Sequence, residues 1–375
     1  AGKLIEKLLS LFPNKKIAAH FHEWLSGSGL LYLKKNSVPV GTVFTTHATT
    51  VGRVLVYNNV DLYSLLQKIN AEKEAANYNV KAKHQLEKET AKNCDVFTTV
   101  SEITGLEAEH ILGRPPDFLL LNGLDNDKFV TFEEISIKHR LHKNRLREFL
   151  LFYFFPYYTF DLEKTFFYFI IARYEFKAKG IDIFIKALSQ LNQKLLKINS
   201  KKTIVAFFWI PTSVRNIKPE ILESREYFQN IKDSLEEVSW ETKERILYAI
   251  AENKKIAEHD LFREEFLFDI KKKLLKLKKE DLPPLCTHDL DKEDDLILKT
   301  FQDVGLLNKK EDKVKVVFYP VYLSGHDGLS NLNHQESIQA SHLGVFPSFY
   351  EPWGYTPLEA AASGVPSITT DLTGF

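Results

Sequence analysis

Along the chain, short runs rich in Val, Ile, Phe and Thr alternate with stretches of helical periodicity, the pattern of parallel sheets covered by helices. The runs at 16–20, 41–46, 95–100 and 117–121 predict strands, with helices over 80–92 and 101–112 between them. Each strand ends in a polar cluster: His20-Phe-His-Glu, Thr45-Thr-His-Ala-Thr, Val100-Ser-Glu and Asn122-Gly-Leu-Asp. In open α/β sheets ligands bind outside the carboxyl ends of the strands, so these clusters predict one wall of a cleft. Residues 125–163 read as a connector, charged at first and then aromatic, without strand alternation. A second α/β unit opens with a strand at 165–172 and a helix over 181–195. Strands at 202–208, 313–319, 342–347 and 366–370 follow. Between them, roughly 219–279 is helical and rich in mixed charge, an insertion that suits an interaction arm. The expected architecture is α/β, with Rossmann-like domains over 1–163 and 164–375 facing a cleft and the helical insertion in the second.

Composition narrows the class. The chain has 375 residues, 44% of them hydrophobic, enough for two cores of ordinary size. Fifty Lys+Arg balance fifty Asp+Glu, so nothing calls for nucleic acid or an anionic membrane as partner. Cys94 and Cys286 stand far apart, which argues for a reducing compartment and against a disulfide framework. The longest apolar runs, 149–158 and 165–172, are too short to span a bilayer, and no signal peptide opens the chain. A cytoplasmic protein is expected. The chain starts with Ala, contains no Met and stops just past a predicted strand, so it reads as a piece of a longer protein.

The strongest chemical signal is Glu351-Pro-Trp-Gly-Tyr-Thr-Pro-Leu-Glu359, in the loop after the strand at 342–347. Thr356 as N-cap, Pro357 at N1 and Glu359 at N3 predict a capping box opening a helix of small residues, Ala360-Ala-Ala-Ser363, closed by Gly364 and Pro366. A helix that starts just after a strand turns free N–H groups and its positive dipole end toward the cleft, which suits a phosphate. On the plainer reading Glu359 only caps and Glu351 is a surface carboxylate; the specific residues between them favour a site. The second signal is Arg173-Tyr-Glu-Phe-Lys-Ala-Lys179-Gly180, again at a strand end. Two cations six residues apart can clamp a diphosphate and neutralise a departing nucleoside diphosphate without a metal; alone they read as a solvated loop.

In Ala19-His-Phe-His-Glu-Trp24, His20 and His22 point to one face if the strand continues. A neutral imidazole on a sugar hydroxyl fits His22 better than a metal does, and a structural role suits His20. His47 and Arg53 at the next strand end are cleft residues or structural ones; Asn122 bonds a hydroxyl or makes a turn. There is no Walker A loop, no G-x-S-x-G elbow, and no D-x-D pair at a predicted strand end.

Seven segments, taken together, resemble glycogen synthases of the animal and fungal type. They are His20-Phe-His-Glu-Trp-Leu25, Phe44-Thr-Thr-His-Ala-Thr49, Asp95-Val-Phe-Thr-Thr-Val-Ser101, Asn122-Gly-Leu124, Arg173-Tyr-Glu-Phe176, Leu285-Cys-Thr-His288 and Gly344-Val-Phe-Pro-Ser-Phe-Tyr-Glu-Pro-Trp-Gly-Tyr-Thr-Pro357. The likeness runs from about residue 17 to 375. It implies a GT-B fold and transfer of glucose from UDP-glucose to the 4-hydroxyl at a glucan's non-reducing end, with retention. By motif, Arg173 and Lys179 would bind the donor diphosphate, Glu351 the glucose and Glu359 the ribose. The backbone of Gly354, Tyr355 and Thr356 would meet phosphate, His22 would reach the donor glucose from the opposite domain, and Asn122 would line the sugar site. No side chain serves as a settled nucleophile; the phosphate oxygen would take the acceptor's proton. The resemblance implies no cofactor and no metal, a glycogen or α-glucan acceptor, a glycogenin-like primer, and a homotetramer built through the insertion. The family's glycine-rich N-terminal loop and its arginine-rich regulatory helix are not recognisable in these residues. Another retaining GT-B transferase and an inactive nucleotide-sugar sensor are the competing readings.

Overall fold

The computed structural model describes residues 1–257 and 261–375. Residues 258–260, inside the predicted insertion, lie outside the described residues. The first unit is a four-stranded parallel sheet in the order β1 (Ala18–His22), β2 (Gly41–Thr46), β3 (Val96–Thr99) and β4 (Phe118–Leu119). In the second unit come β5 (Thr165–Ile171), β6 (Thr203–Trp209), a short antiparallel pair β7 (Val214–Ile217) and β8 (His288–Leu290), then β9 (Val314–Tyr319), β10 (Leu343–Phe346) and β11 (Ser367–Thr369). Its five-stranded sheet has the order β11-β10-β5-β6-β9, parallel throughout. From β5 the chain steps outward to β6 and β9, then returns to the other side of β5 for β10. The switch point therefore lies between the carboxyl ends of β5 and β10, where sheets of this kind hold their ligands.

Burial explains the patterns. Every residue of β6 and β9 is buried, as the near-continuous apolar runs of a sheet covered on both faces require. The helix Ile181–Lys197 buries Ile181, Phe184, Ile185 and Leu188, an i, i+3, i+4, i+7 stripe, against that sheet. The predicted connector holds a 22-residue helix, Phe132–Tyr153, opened by a capping box of Thr131 and Glu134. Its Leu146, Phe149, Leu150 and Tyr153 join the core of the second unit. The insertion is helical, with Pro219–Glu237, Ser239–Ala251 and Glu264–Leu277.

The first unit buries two carboxylates, Glu87 and Glu107, and both hold the turn from β2 into the helix Thr50–Tyr57. Glu87 accepts from Thr46 Oγ1 at 2.9 Å and from the Thr50 amide at 2.9 Å. Glu107 accepts from the Thr49 amide at 2.8 Å and Thr49 Oγ1 at 2.6 Å. Burial pushes each carboxyl from 4.5 up to about 7 despite these bonds. Between those two values the folded state carries extra protons, so this contribution to stability declines as pH rises from about 4.5 to about 7 and is level above. The buried His84, His142 and His288, whose pKa values are lowered by burial, titrate with the opposite sign, so wild type and variant must be compared at each pH. We expect the wild-type minus Glu87→Gln stability difference to shrink by up to about 1.4 kcal/mol per pH unit across that window. Urea unfolding at pH 5, 6, 7 and 8 measures it, and a difference that does not change with pH would refute it.

Candidate active site

At the switch point the loops after β5 and β10 are stitched together through their backbones. Residues 173–180 form a tight turn, with the Lys179 amide donating to Glu175 O at 2.9 Å and the Gly180 amide to Lys177 O at 2.9 Å. The Phe349 amide then donates to Ala178 O at 3.1 Å across the two loops. Inside this junction the Lys179 ammonium donates to Glu351 Oε2. Only 10% of the Lys179 side chain is exposed, so it is a fixed charge set toward the cleft. A cavity of about 210 Å³ lies over the pair, lined also by Arg173, Ser348, Tyr355 and Thr356. Arg173 is placed differently from Lys179: its side chain is 71% exposed and its guanidinium sits 3.1 Å from Glu175. In this state one of the two predicted cations is in the cavity and the other stands at its rim.

The helix beyond Glu351 spans Tyr355–Ala362. The predicted capping box is not formed: Gly354, at φ 97°, is the N-cap, no side chain caps the end, and Thr356 is the second helical residue. Gly354 takes the left-handed conformation in tight surroundings, where a Cβ would meet Thr373 Cγ2 at 2.7 Å. That turn starts the helix earlier than a Thr cap would, and the first-turn amides are left without a side-chain acceptor. Pro357, third in the helix, falls where its missing N–H removes no helical bond. Freed from capping, Glu359 pairs with His334, whose Nε2 lies 2.9 Å from Glu359 Oε2 and so carries the ring proton. His334 also lines a second cavity of about 350 Å³ with Trp209, Tyr322 and Thr356. The two cavities share Ile171, Ala172, Arg173 and Thr356, so the Arg173 turn lies between them.

On the first unit, β1 begins two residues later than its predicted position and carries both histidines on its exposed face, as the alternation requires. His22 Nδ1 lies 3.1 Å from His47 Nε2, and His20 Nε2 lies 2.6 Å from Thr45 Oγ1. Burial lowers the pKa of His20 and His47, which favours neutral rings that bond hydroxyls. Glu23, the last residue of the polar cluster at this strand end, ties this wall together. Its Oε1 accepts from the His47 amide at 3.1 Å and from Arg53 Nη2 at 3.3 Å. Arg53 faces a cleft of about 720 Å³ between the units, opposite Tyr174, Phe176 and Lys179. His22 and Asn122 line none of these three spaces; Asn122 stands in the loop beyond β4. The site thus brings together Lys179, Glu351, Tyr355, Thr356 and the rim residue Arg173, with Glu359 one cavity away and Arg53 across the cleft.

Among the described residues no group of three or more His, Cys, Asp or Glu is arranged to hold a metal, and no helix is long and apolar enough to cross a membrane. The family described as glycogen synthase matches residues 3–375. The glycogen [starch] synthase of Dictyostelium discoideum is 41% identical over 374 residues, covering 99% of this chain and 43% of that protein. The liver glycogen [starch] synthase of Homo sapiens is 40% identical over 366 residues, covering 96% of this chain and 52% of that protein. The chain spans about half the length of the curated relatives it matches. Among solved structures, an α,α-trehalose-phosphate synthase (UDP-forming) from Burkholderia xenovorans aligns with a TM-score of 0.48 at 9% identity, over 99% of this chain and 62% of that one.

Proposed function

The chain belongs to the glycogen synthase family, and we propose that it carries the catalytic cleft of an enzyme that transfers glucose from UDP-glucose to the 4-hydroxyl at the non-reducing end of an α-1,4-glucan, with retention. The observation that carries this reading is the Lys179–Glu351 pair under the switch-point cavity, beside an uncapped helix end. An anionic diphosphate laid against the first-turn amides of Tyr355 and Thr356 meets the helix dipole and the Lys179 ammonium together. Arg173 closes in from the rim to complete the clamp. Glu351, released from Lys179 by the phosphate, turns to the glucose hydroxyls. Glu359, already oriented by His334, takes the ribose. Charge growing on the leaving diphosphate is stabilised by Lys179 and Arg173, and the acceptor hydroxyl gives its proton to the departing phosphate oxygen. The imidazoles of His22 and His47, with Asn122 and Arg53, form the first unit's side of the sugar site.

The reading needs no metal or organic cofactor, because the Lys179 and Arg173 cations do the work of a bound one. It puts the enzyme in the cytoplasm, with glycogen as acceptor and a glycogenin-like protein as primer. Trp240, Leu247, Tyr248, Phe268 and Leu275 of the insertion are each at least 67% exposed, which supports assembly into a homotetramer through that arm. Glucose incorporation into glycogen by the full-length protein tests the proposal. UDP-glucose should support elongation at least about tenfold faster than ADP-glucose, with and without a chelator. No elongation from either donor would sink the reading, and loss of activity on chelation would sink its metal-free mechanism.

A further inference from the structure

Glu351 sits in a segment, 347–354, with no regular secondary structure apart from a single bridge between Glu351 and Thr373. Its position must come from elsewhere, and the residues on either side of it are held by the first unit. Tyr350 is buried in the first unit's core, its ring 6.1 Å from that of Tyr63, and its hydroxyl donates to Glu107 Oε1 at 3.3 Å. The carbonyl of Pro352 accepts from Ser101 Oγ at 2.7 Å and from Thr104 Oγ1 at 3.3 Å. Ser101 caps the helix Glu102–Leu112, and residues 101, 104 and 107 form one stripe along it. The same Glu107 oxygen also holds Thr49, in the turn between His47 and Arg53. One buried carboxylate thus touches the segments that carry both walls of the cleft.

We infer that the helix Glu102–Leu112 positions Glu351, with Glu107 and Ser101 gripping its two neighbours so that this carboxylate is in place only while the two units are closed on each other. Opening the cleft draws Tyr350 out of the first core and releases Glu351 with it, so closure and assembly of the site become one event. Glu107, Ser101 and Tyr350 are positioning residues. The inference rests on the reading that Glu351 meets the donor's glucose.

Tyr350→Phe removes only the hydroxyl and keeps the ring on Tyr63, while Ser101→Ala removes the hydroxyl that holds the Pro352 carbonyl. In the full-length protein each is expected to lower kcat with UDP-glucose about tenfold. The affinity for UDP, which lacks the glucose, should stay within about twofold of wild type. The double variant should be worse than either single one, because the two bonds hold opposite sides of Glu351. Amide hydrogen exchange over 347–354 should quicken in Tyr350→Phe while that of Ile181–Lys197 does not change. Unchanged exchange, unchanged kcat, or a parallel loss of UDP affinity would overturn the inference. A wild type that transfers no glucose would instead overturn the proposed function, and the exchange measurement would still decide this one.

Discussion

Lys179→Ala is expected to lower kcat by about 10²–10³-fold, the cost of removing one preorganised donor from a site of developing negative charge. The side chain is 10% exposed and its ammonium is held at the cavity by Glu351, so the charge is already in place when a phosphate arrives. Its loss removes that charge and leaves Glu351 without its cation. Glu351 keeps 23% of its side chain exposed, so water can solvate the orphaned carboxylate and the fold survives. The defect should appear in kcat rather than in the thermal midpoint. Lys179→Arg should rescue little, because the planar, longer guanidinium does not fit where a compact ammonium sits between two loops. Arg173→Ala provides the contrast. Its side chain is 71% exposed and pairs with Glu175, so it has to be recruited from solvent. If Lys179→Ala retained more than about a tenth of wild-type kcat, charge stabilisation would have to be assigned to Arg173 and the helix end instead.

The parts that can be read from the sequence are those where burial imposes a short period. β2 occupies 41–46 as expected, and β5, β6, β9 and β10 fall within one residue of their predicted ends, because β6 and β9 are covered on both faces and the others on at least one. At the sheet's margin the signal weakens: the strand expected at 117–121 yields only the two-residue β4, with Phe118 and Leu121 exposed. β7 and β8 leave no signal, since Val214-Arg-Asn-Ile217 and His288-Asp-Leu290 offer neither alternation nor an apolar run. The motif around Glu351 is legible as a strand, a loop and a helix. Its capping is not, because the left-handed Gly354 and not the Thr-x-x-Glu spacing decides where the helix begins. His334 and Glu359 are 25 residues apart on two helices, and no local pattern announces such a pair. Glu87 and Glu107 escape a sequence reading for the opposite reason. A carboxylate among Lys and Glu on a helix reads as solvated, and only the fold shows the Thr46–Thr50 turn above it.

Gly180→Ala is the second large effect expected, this time on the fold and the site together. Gly180 has φ 63° and caps the helix Ile181–Lys197, at the point where the cationic turn meets β10. A Cβ there would overlap the carbonyl of Pro347, lying 2.6 Å from its carbon and 3.0 Å from Pro347 Cγ. The obstacle is backbone, so no rotamer relieves it; the turn 173–179 would have to lift from β10. The left-handed conformation costs a non-glycine residue about 1–2 kcal/mol, and overpacking adds about 1–3 kcal/mol. Gly305, at φ 76° and with nothing within 4 Å of where a Cβ would stand, bears the first cost without the second, so Gly305→Ala isolates the conformational part. Denaturant midpoints should therefore fall further for Gly180→Ala than for Gly305→Ala. Lifting the turn also pulls Lys179 away from Glu351 and breaks the Phe349–Ala178 bond that joins the two loops. Under conditions where both variants are fully folded, kcat should drop in Gly180→Ala alone. Equal kcat in the two would mean that the turn can shift off Pro347 without disturbing Lys179, and that its contact with β10 serves stability only.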